Sequence, residues 1–436
     1  MSVPKLQFDT LKVRAGYDPK DHQNAIAVPI YQTASFDLGD TARVDRLLSF
    51  QEAGWLYTRI GNPTVDVLER RVAALDGGAA AIAVASGMAA ISYTLLNLAE
   101  GGGRILTTPR LYGGTFDAFQ KVLAPLGIGV DLVEDSDKPE SFRKALKSNT
   151  KAILIESISN PNATVLDIEA IAKVAHDFGI PLVVDNTFAT PYLFDAFGHG
   201  ADLVVYSATK ALNGHGNTIG GVIVESGKFN YANGKFPQFQ KPTYLLRDRP
   251  TNVERSFLEA FPDFPLTVRI RLNYLAYLGA ALSPFDAFLI LQGIETLSER
   301  VGKQVANAER VIKFLETHPQ VAWVKHPAAK GNPYAELAKK YLPQGAGGIF
   351  TFGFRGSDAQ YNKFIDSLKV FSFHANVGDA RSLVINSPKT THGELRPAEQ
   401  LTADIPPETI RLSIGIEDPR DLIADLRQAF KAALKA

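Results

Sequence analysis

The sequence predicts an α/β protein built on a mostly parallel sheet with helices on both faces, followed by a smaller C-terminal α+β domain. Three observations support this prediction. Between residues 81 and 224, short apolar strands alternate with helical segments. Uninterrupted apolar, β-branched runs such as residues 203–205 are typical of strands buried on both faces. The 436 residues exceed one compact domain, so we expect two or three.

The elements of the larger domain follow in order along the chain. Asn62-Pro63 predicts a turn, and Thr64 can cap a helix over residues 65–75, which Gly77-Gly78 ends. Further helices are predicted after Gly87, up to about residue 123, and over residues 168–178. The predicted strands are residues 82–84, 104–107, 130–133, 152–156, 181–185, 203–206 and 221–224.

The remaining elements predict the second domain and its boundaries. A long helical stripe begins at Ser283-Pro284 and continues to about residue 308. Strands are predicted at 347–352, 383–384 and 410–414, and helices at 364–368 and 418–433. We therefore expect an N-terminal arm (residues 1–63), a large domain (64–284) and a C-terminal domain (285–436).

Residues 226–265 interrupt this alternation with aromatic residues among lysines and arginines. Such a mixture can bind single-stranded nucleic acid. However, lysine plus arginine equals aspartate plus glutamate, at 46 each, so no net charge attracts a nucleic acid or an anionic membrane. The composition favours an insertion that packs its aromatic side chains on the body of the protein.

The composition also excludes several classes of site. The chain has no cysteine, which excludes disulfides, cysteine-ligated zinc, iron–sulfur clusters and a catalytic thiolate. Residues 79–99 carry no charge, but they are rich in alanine and contain polar residues, so we predict a strand, a turn and a buried helix instead of a membrane span. The N-terminus has no apolar signal core, and we expect a cytoplasmic protein with no metal site.

Polar residues end three consecutive predicted strands. These residues are Asn160, Asp185 and Lys210. Open α/β sheets bind ligands at the carboxyl ends of their strands, so the three residues converge on one crevice if the strands are parallel. A lysine there is a solvated side chain, a phosphate ligand or a covalent catalyst. A buried carboxylate such as Asp185 requires a cationic or protonated partner.

Other segments add an anion site and an aromatic ring. Ser86-Gly87-Met88 predicts a tight turn into a helix whose free N–H groups attract an anion. Ser207 and Thr209 add hydroxyl donors, and Tyr112 stands beside two glycines. These parts fit pyridoxal 5′-phosphate, which needs a lysine, a phosphate site and a carboxylate at its pyridine nitrogen. Residues 214–220 superficially resemble a dinucleotide fingerprint, but their spacing is wrong.

Taken together, the motifs resemble the Cys/Met-metabolism family of pyridoxal-phosphate enzymes, in order and over nearly the whole chain. Within that family the chain resembles the O-acetylhomoserine sulfhydrylases in its length, in the 226–265 insertion and in the amino-acid sequence of residues 111–115 and 185–191. The motifs that carry the family resemblance are residues 57–59, 86–88, 111–115, 185–187, 207–210, 376–379, 391–392 and 411–417.

The resemblance implies an aspartate-aminotransferase-like fold (fold type I) and a role for each matching residue. Lys210 would form the Schiff base with the cofactor, and burial would lower its pKa so that the freed amine acts as a base. Asp185 would pair with the pyridinium nitrogen, and Tyr112 would stack on the ring and assist proton transfer. The phosphate would be held by Ser86, Gly87, Met88, Ser207 and Thr209. The substrate carboxylate would be held by Asn160, Ser382 and Arg411.

The resemblance also implies an assembly. Tyr57 and Arg59 would reach the phosphate of a neighbouring subunit, so the active sites would be shared within a dimer, and the dimers would form a homotetramer. The partners implied are otherwise small-molecule substrates. His215 and His392 lie near motifs, but we expect both to be hydrogen-bonded loop histidines without a catalytic role.

The implied reaction is γ-replacement on O-acetyl-L-homoserine with sulfide or a small thiol, giving homocysteine and acetate in methionine and cysteine biosynthesis. Methionine or cystathionine γ-lyase and cystathionine γ-synthase remain alternatives, because they share the cofactor residues. Arg381 and Gly114 differ from the glutamate and cysteine of several lyases and favour a sulfhydrylase. A non-catalytic cofactor-binding regulator is a further alternative, but no basic helix-turn-helix segment supports it.

Overall fold

The computed structural model describes residues 6–393 and 396–436, and its largest element is a seven-stranded sheet. A five-stranded sheet and a two-stranded hairpin complete the β-structure of these residues. The strands are β1 (Ala80–Val84), β2 (Arg104–Thr107), β3 (Gly129–Leu132), β4 (Thr150–Glu156), β5 (Leu182–Asp185), β6 (Leu203–Ser207), β7 (Gly221–Glu225), β8 (Thr243–Asp248), β9 (Val253–Arg255), β10 (Val321–Lys325), β11 (Ile349–Phe354), β12 (Ser372–Phe373), β13 (Leu383–Asn386) and β14 (Thr409–Ser413).

The helices of the described residues flank both larger sheets. They are α1 (Phe8–Arg14), α2 (Thr41–Leu48), α3 (Pro63–Asp76), α4 (Gly87–Ala99), α5 (Gly113–Ala118), α6 (Pro139–Ala145), α7 (Ile168–Asp177), α8 (Thr190–Leu193), α9 (Pro237–Gln240), α10 (Phe257–Ala260), α11 (Pro265–Arg269), α12 (Ala276–Leu278), α13 (Pro284–Glu295), α14 (Leu297–Leu315), α15 (Ala335–Tyr341), α16 (Asp358–Asp366), α17 (Pro397–Thr402) and α18 (Pro419–Ala433). Short π-helical turns extend α5 and α11.

The large sheet has the strand order β1-β7-β6-β5-β4-β2-β3, which confirms the predicted α/β architecture. Its strands run parallel except for β7, which is antiparallel to both β1 and β6. The strands β2, β4, β5 and β6 are neighbours, so their carboxyl ends meet at one edge of the sheet. This edge is where the sequence places Asn160, Asp185 and Lys210.

Local capping explains where the first helices begin and end. Asn62, instead of the predicted Thr64, caps α3, because its Oδ1 accepts the Thr64 N–H at 3.0 Å. Gly77 ends α3 in the left-handed region at φ +69°. The uncharged stretch 79–99 is β1, a turn and α4, as predicted, and no helix among the described residues is long and apolar enough to cross a bilayer.

The predicted long helix after residue 284 is two helices. Ser283 caps α13, Thr296 has a non-helical backbone, and α14 then begins. The first part of α14, including Val301, packs into the core of the large sheet, and its last part, including Val311 and Leu315, packs into the core of the small sheet. The predicted domain boundaries stay a prediction, since this helix contributes to both cores.

The small sheet has the order β10-β11-β14-β13-β12 and is antiparallel except for β12 and β13. The sequence prediction found β11, β13 and β14 but not β10 or β12, and it placed α16 too late, at residues 364–368. Fully buried rings form the core of this sheet, among them Phe350, Phe352, Phe364 and Phe430.

The 226–265 insertion is more regular than the predicted loop, because it contains α9, α10 and the hairpin β8–β9. Tyr231, Phe236 and Phe239 are buried, and Tyr231 packs edge to face on Phe236 and at a tilt against Phe239, which confirms the prediction that aromatic residues of this insertion cover the body. Tyr244 is exposed and lies 4.1 Å from the Arg247 guanidinium.

Candidate active site

A cavity of about 270 Å³ opens at the carboxyl ends of β4, β5 and β6. The structure brings most of the predicted site residues to its walls. Those that line it are Ser86, Gly87, Met88, Tyr112, Asn160, Asp185, Ser207, Thr209, Lys210 and Arg411. The convergence predicted from the strand ends is therefore observed.

The N-terminus of α4 forms one wall and presents unpaired hydrogen-bond donors. Ser86 caps the helix by accepting the Ala89 N–H at 3.1 Å, which leaves the N–H groups of Gly87 and Met88 without partners among the described residues. A Cβ at Gly87 would lie 2.6 Å from the Ser207 Cβ, so only glycine lets the helix approach β6 this closely. This turn and the Ser207 hydroxyl can bind a phosphate.

The predicted role of Thr209 in holding the phosphate stays a prediction, and its hydroxyl has partners within the chain. Its Oγ1 donates to the Gly220 carbonyl at 3.2 Å and accepts the Gly220 N–H at 3.0 Å. Thr209 therefore fixes the loop that follows β6 against the start of β7, although it also lines the cavity.

Lys210 follows β6 and points into the cavity. Its Nζ donates to Asn376 Oδ1 at 2.7 Å. Burial, aided by the nearby Arg411 guanidinium, lowers the pKa of Lys210 to about 8. The direction agrees with the prediction, and a neutral amine is accessible near physiological pH.

Asp185 is half-buried at the end of β5. Thr187 donates to its Oδ1 from both the main-chain N–H, at 3.0 Å, and the hydroxyl, at 2.5 Å. Burial raises the pKa of Asp185 to about 6, and no lysine, arginine or histidine of the described residues lies within salt-bridge distance of it. A carboxyl group in this environment can bind a cationic or protonated ring nitrogen.

Glu156 lies beside Asp185 and was not predicted as a site residue. The two residues are paired in register at the ends of β4 and β5. Glu156 Oε1 accepts the Tyr112 N–H, and Oε2 accepts the Asn160 N–H, each at 2.7 Å. Burial and the neighbouring Asp185 raise the pKa of Glu156 to about 8.

Arg411 lies on β14 of the small sheet and reaches across to the same cavity. It is 3% exposed, and it donates to Asn160 Oδ1 at 3.0 Å and to the Asn376 carbonyl at 3.3 Å. Burial lowers its pKa to about 10. Among the described residues no carboxylate pairs with it, so the guanidinium is available for an anionic group of a ligand.

Tyr112 is 40% exposed and stands at the start of α5. Its ring lies against Gly114, where a Cβ would be 2.6 Å from the ring. The main-chain N–H of Tyr112 is held by Glu156. The ring therefore forms an aromatic wall of the cavity that can stack on a flat ligand.

Three predicted site residues do not line this cavity, namely Tyr57, Arg59 and Ser382. Tyr57 is 44% exposed and carries the Arg59 guanidinium 5.3 Å from its ring centroid. Ser382 is fully buried; its hydroxyl donates to Glu417 Oε2 and accepts the Gly415 N–H, both at 2.9 Å. Its predicted role in carboxylate binding stays a prediction, and the Ser382 hydroxyl already has partners.

The two histidines have the expected loop positions. His215 Nδ1 lies 2.6 Å from the Asn213 carbonyl. His392 is buried with its Nδ1 3.1 Å from Thr391 Oγ1, and burial lowers its pKa to about 4. A neutral His392 can position a loop but cannot supply positive charge near pH 7.

The observed groups match what pyridoxal phosphate requires. The cavity has a helix N-terminus that can bind phosphate, a lysine with a lowered pKa, an aromatic wall and a half-buried carboxyl group that has no cationic partner among the described residues. The profile of the family described as "Cys/Met metabolism PLP-dependent enzyme" matches residues 9–431. The chain belongs to this family.

Relatives of this Cys/Met-metabolism protein share its full length. O-acetyl-L-homoserine sulfhydrylase of Leptospira meyeri is 43% identical and covers 99% of this chain and 98% of its own. Homocysteine synthase of Schizosaccharomyces pombe is 44% identical and covers 99% and 100%. A crystal structure assigned as an O-acetylhomoserine (thiol)-lyase of Campylobacter jejuni, which contains a pyridoxyl-lysine phosphate, is 37% identical with a TM-score of 0.92 and covers 98% and 100%.

Proposed function

We propose that the protein is an O-acetylhomoserine sulfhydrylase, which joins O-acetyl-L-homoserine and sulfide to give L-homocysteine and acetate. The observation that carries this proposal is the agreement of full-length relatives, 40–44% identical, of which several bear the names O-acetylhomoserine sulfhydrylase or homocysteine synthase. The reaction belongs to methionine and cysteine biosynthesis, and we propose a cytoplasmic location because such chemistry uses soluble metabolites.

Arg411 and Asn160 bind the substrate carboxylate in this proposal. The guanidinium can offer two parallel N–H donors, and among the described residues its hydrogen-bond partners are neutral. It can therefore form an ion pair with the substrate carboxylate. The amino group of the substrate is then held near Lys210, which shares Asn376 with Arg411. This arrangement orients the Cα proton toward the Lys210 amine.

Lys210 performs the proton transfers. When bound, pyridoxal phosphate supplies an electron sink for the negative charge that develops at Cα. The Lys210 amine, with a pKa of about 8, takes the Cα proton, and Tyr112 stands close enough to the cavity to assist a second transfer from Cβ. Acetate leaves Cγ with the C–O bonding pair, hydrosulfide forms the new C–S bond there, and the protons taken from Cβ and Cα return to those carbons to give L-homocysteine.

Asp185 and the α4 turn hold the remaining parts of the cofactor. The Asp185 carboxylate stabilises a proton on the ring nitrogen, and Thr187 fixes its orientation. The free N–H groups of Gly87 and Met88 and the Ser207 hydroxyl bind the phosphate.

We also propose that the enzyme is a homo-oligomer, with a homotetramer of dimers as the full assembly. Tyr57 and Arg59 would bind the phosphate in a neighbouring subunit, which is consistent with their exposure and their absence from the cavity of their own chain. Mixing inactive Arg59→Ala and Lys210→Ala subunits should restore activity, because some sites then combine two intact contributions. Mixtures as inactive as their components would contradict shared sites.

An acceptor-competition assay tests the activity. Acetyl- and succinylhomoserine are each offered with sulfide, methanethiol or cysteine, and products are identified by mass; Lys210→Ala is the control. We expect homocysteine from the acetyl ester and sulfide. Ammonia and 2-oxobutyrate formed without a thiol would indicate a γ-lyase, and cystathionine as the main product would indicate a cystathionine γ-synthase.

A further inference from the structure

Glu156 occupies a central position among the strands that build the site. It ends β4, which lies between β5, the strand of Asp185, and β2, whose following loop carries Tyr112. It is 7% exposed and lines the cavity. It contacts the loop after β2, which carries Tyr112, and the loop after its own strand, which carries Asn160.

Each carboxyl oxygen of Glu156 accepts one main-chain N–H. Oε1 binds Tyr112 and Oε2 binds Asn160, both at 2.7 Å. Only a side chain with two acceptor oxygens satisfies both donors, since a glutamine in the same place offers one oxygen and one NH₂ group. The two hydrogen bonds thus require a carboxyl group at this position.

The position is unfavourable for a carboxyl group on grounds of charge. Glu156 is buried beside Asp185, and no cationic side chain of the described residues forms an ion pair with it. Two neighbouring buried carboxyl groups repel each other when both are ionised. Burial beside a second carboxyl group therefore costs stability at this position, where the two hydrogen bonds hold the main chain of Tyr112 and Asn160.

Both donors lead directly to ligand-binding groups. Tyr112 presents its ring to the cavity, and Asn160 binds the Arg411 guanidinium through Oδ1 at 3.0 Å. We propose that Glu156 is a positioning residue that fixes the Tyr112 ring and the Asn160–Arg411 pair relative to Asp185. This inference rests on the proposed function, since it uses the roles proposed there for Tyr112 and Arg411.

Glu225 provides a matched control elsewhere in the fold. It ends β7, is 2% exposed, and accepts the N–H groups of Leu266 and Thr267 at 3.2 and 2.8 Å. It does not line the cavity. Glu225→Gln removes the same kind of hydrogen bond as Glu156→Gln, so the pair separates general destabilisation from an effect on the site.

The test measures three quantities for the wild type, Glu156→Gln and Glu225→Gln: the unfolding midpoint, the Kd of pyridoxal phosphate for apoenzyme, and the KM values for O-acetylhomoserine and sulfide. We expect both variants to lower the midpoint. Only Glu156→Gln should raise the cofactor Kd, the KM for O-acetylhomoserine, or both, by about tenfold, because one buried N–H loses its acceptor. The KM for sulfide should not change.

The inference is overturned if Glu156→Gln changes neither constant, or changes them no more than Glu225→Gln. If Glu156→Gln does not fold, Glu156→Asp replaces it. Aspartate keeps two acceptor oxygens, but its side chain is shorter and does not reach both N–H groups, so we expect the same rise in the cofactor Kd or in the KM for O-acetylhomoserine. Failure of both to fold beside a folded Glu225→Gln would mean that Glu156 is a structural residue. The cofactor Kd needs no substrate, so a wild type inactive with O-acetylhomoserine would refute the proposed function alone.

Discussion

Replacing Arg411 with methionine should separate substrate binding from folding. Methionine keeps an unbranched side chain in the buried space but removes the guanidinium. The structure shows a buried cation with two neutral acceptors and, among the described residues, no carboxylate partner. We expect Arg411→Met to lose activity while it keeps the stability of the fold.

The magnitude follows from two opposing effects. Burial lowers the pKa of Arg411 to about 10, which corresponds to about 3 kcal/mol against the charged form. The substitution removes that cost together with two hydrogen bonds from a charged donor, worth about 1.5 kcal/mol each. The unfolding free energy should therefore stay within about 1 kcal/mol of the wild type.

Substrate binding should change far more than stability. A buried, hydrogen-bonded carboxylate–guanidinium contact is worth about 2–5 kcal/mol when one partner is removed. The kcat/KM for O-acetylhomoserine should fall by about 30- to 5,000-fold. The measurement is steady-state kinetics with each substrate varied, alongside chemical denaturation.

Arg300 is the matched control for this substitution. It is also buried, with a pKa lowered to about 10, but it donates four hydrogen bonds, to Thr296 and to three main-chain carbonyls. Arg300→Met should lose about 3 kcal/mol of stability, since the lost hydrogen bonds outweigh the relieved burial. Equal destabilisation by both variants, with kcat/KM unchanged in Arg411→Met, would refute the reasoning.

Three further predictions concern the cofactor side of the site. Reduction of the holoenzyme with borohydride should add the pyridoxyl phosphate mass to the peptide that contains Lys210, and Lys210→Ala should show no such adduct; an adduct elsewhere would contradict the assignment. The rate should rise with pH and level off above about 8, where the Lys210 amine is neutral. In Arg411→Met this rise should occur at higher pH, because the loss of a neighbouring cation raises the pKa of Lys210. A pH–rate profile that does not shift in this variant would count against Lys210 as the base. Gly87→Ala should weaken cofactor binding about tenfold or more in an equilibrium titration, since its Cβ would lie 2.6 Å from the Ser207 Cβ, whereas Gly302→Ala has room and should not.

The sequence predicts the large sheet well because buried parallel strands are short, apolar and β-branched. The strands β4, β5 and β6 are recognisable from composition alone. The antiparallel direction of β7 is not readable in this way, since its residues are as apolar as those of the parallel strands. Similarly, β10 was missed because three of its five residues, including Trp323, are only half-buried and no alternation is visible.

The predicted helix boundaries are wrong where a tertiary contact or a single residue determines the start or the end of a helix. Thr296 interrupts a continuous apolar stripe, so the periodicity predicts one helix where the structure has α13 and α14. The choice of Asn62 over Thr64 as the cap of α3 depends on the Thr64 hydroxyl, which instead donates to the Pro29 carbonyl at 2.7 Å. Such long-range hydrogen bonds are invisible in local sequence patterns.

Site residues could be predicted where a side chain of suitable chemistry follows a recognisable strand, as at Asp185 and Lys210. Glu156 carries the same signal, a carboxylate at the end of an apolar strand, and it could have been included with Asp185. The contact of Asn376 with Lys210 could not be predicted, since it joins two loops 166 positions apart in the chain. The predicted role of Ser382 stays a prediction, and the contact of its hydroxyl with Glu417 could not be read from the sequence.

The two asparagines of the site explain why its charges remain available. Asn160 stands between Glu156 and Arg411, and Asn376 stands between Arg411 and Lys210, in each case as a neutral hydrogen-bond partner. An aspartate at position 160 would pair with the Arg411 guanidinium, and one at position 376, where the side chain faces Lys210, would pair with that amine and raise its pKa. The cavity would then hold internal ion pairs. It would lose affinity for the substrate carboxylate, and the Lys210 amine would stay protonated instead of acting as a base. Neutral amides fix the geometry without neutralising the cations, so the ligands supply the missing charges.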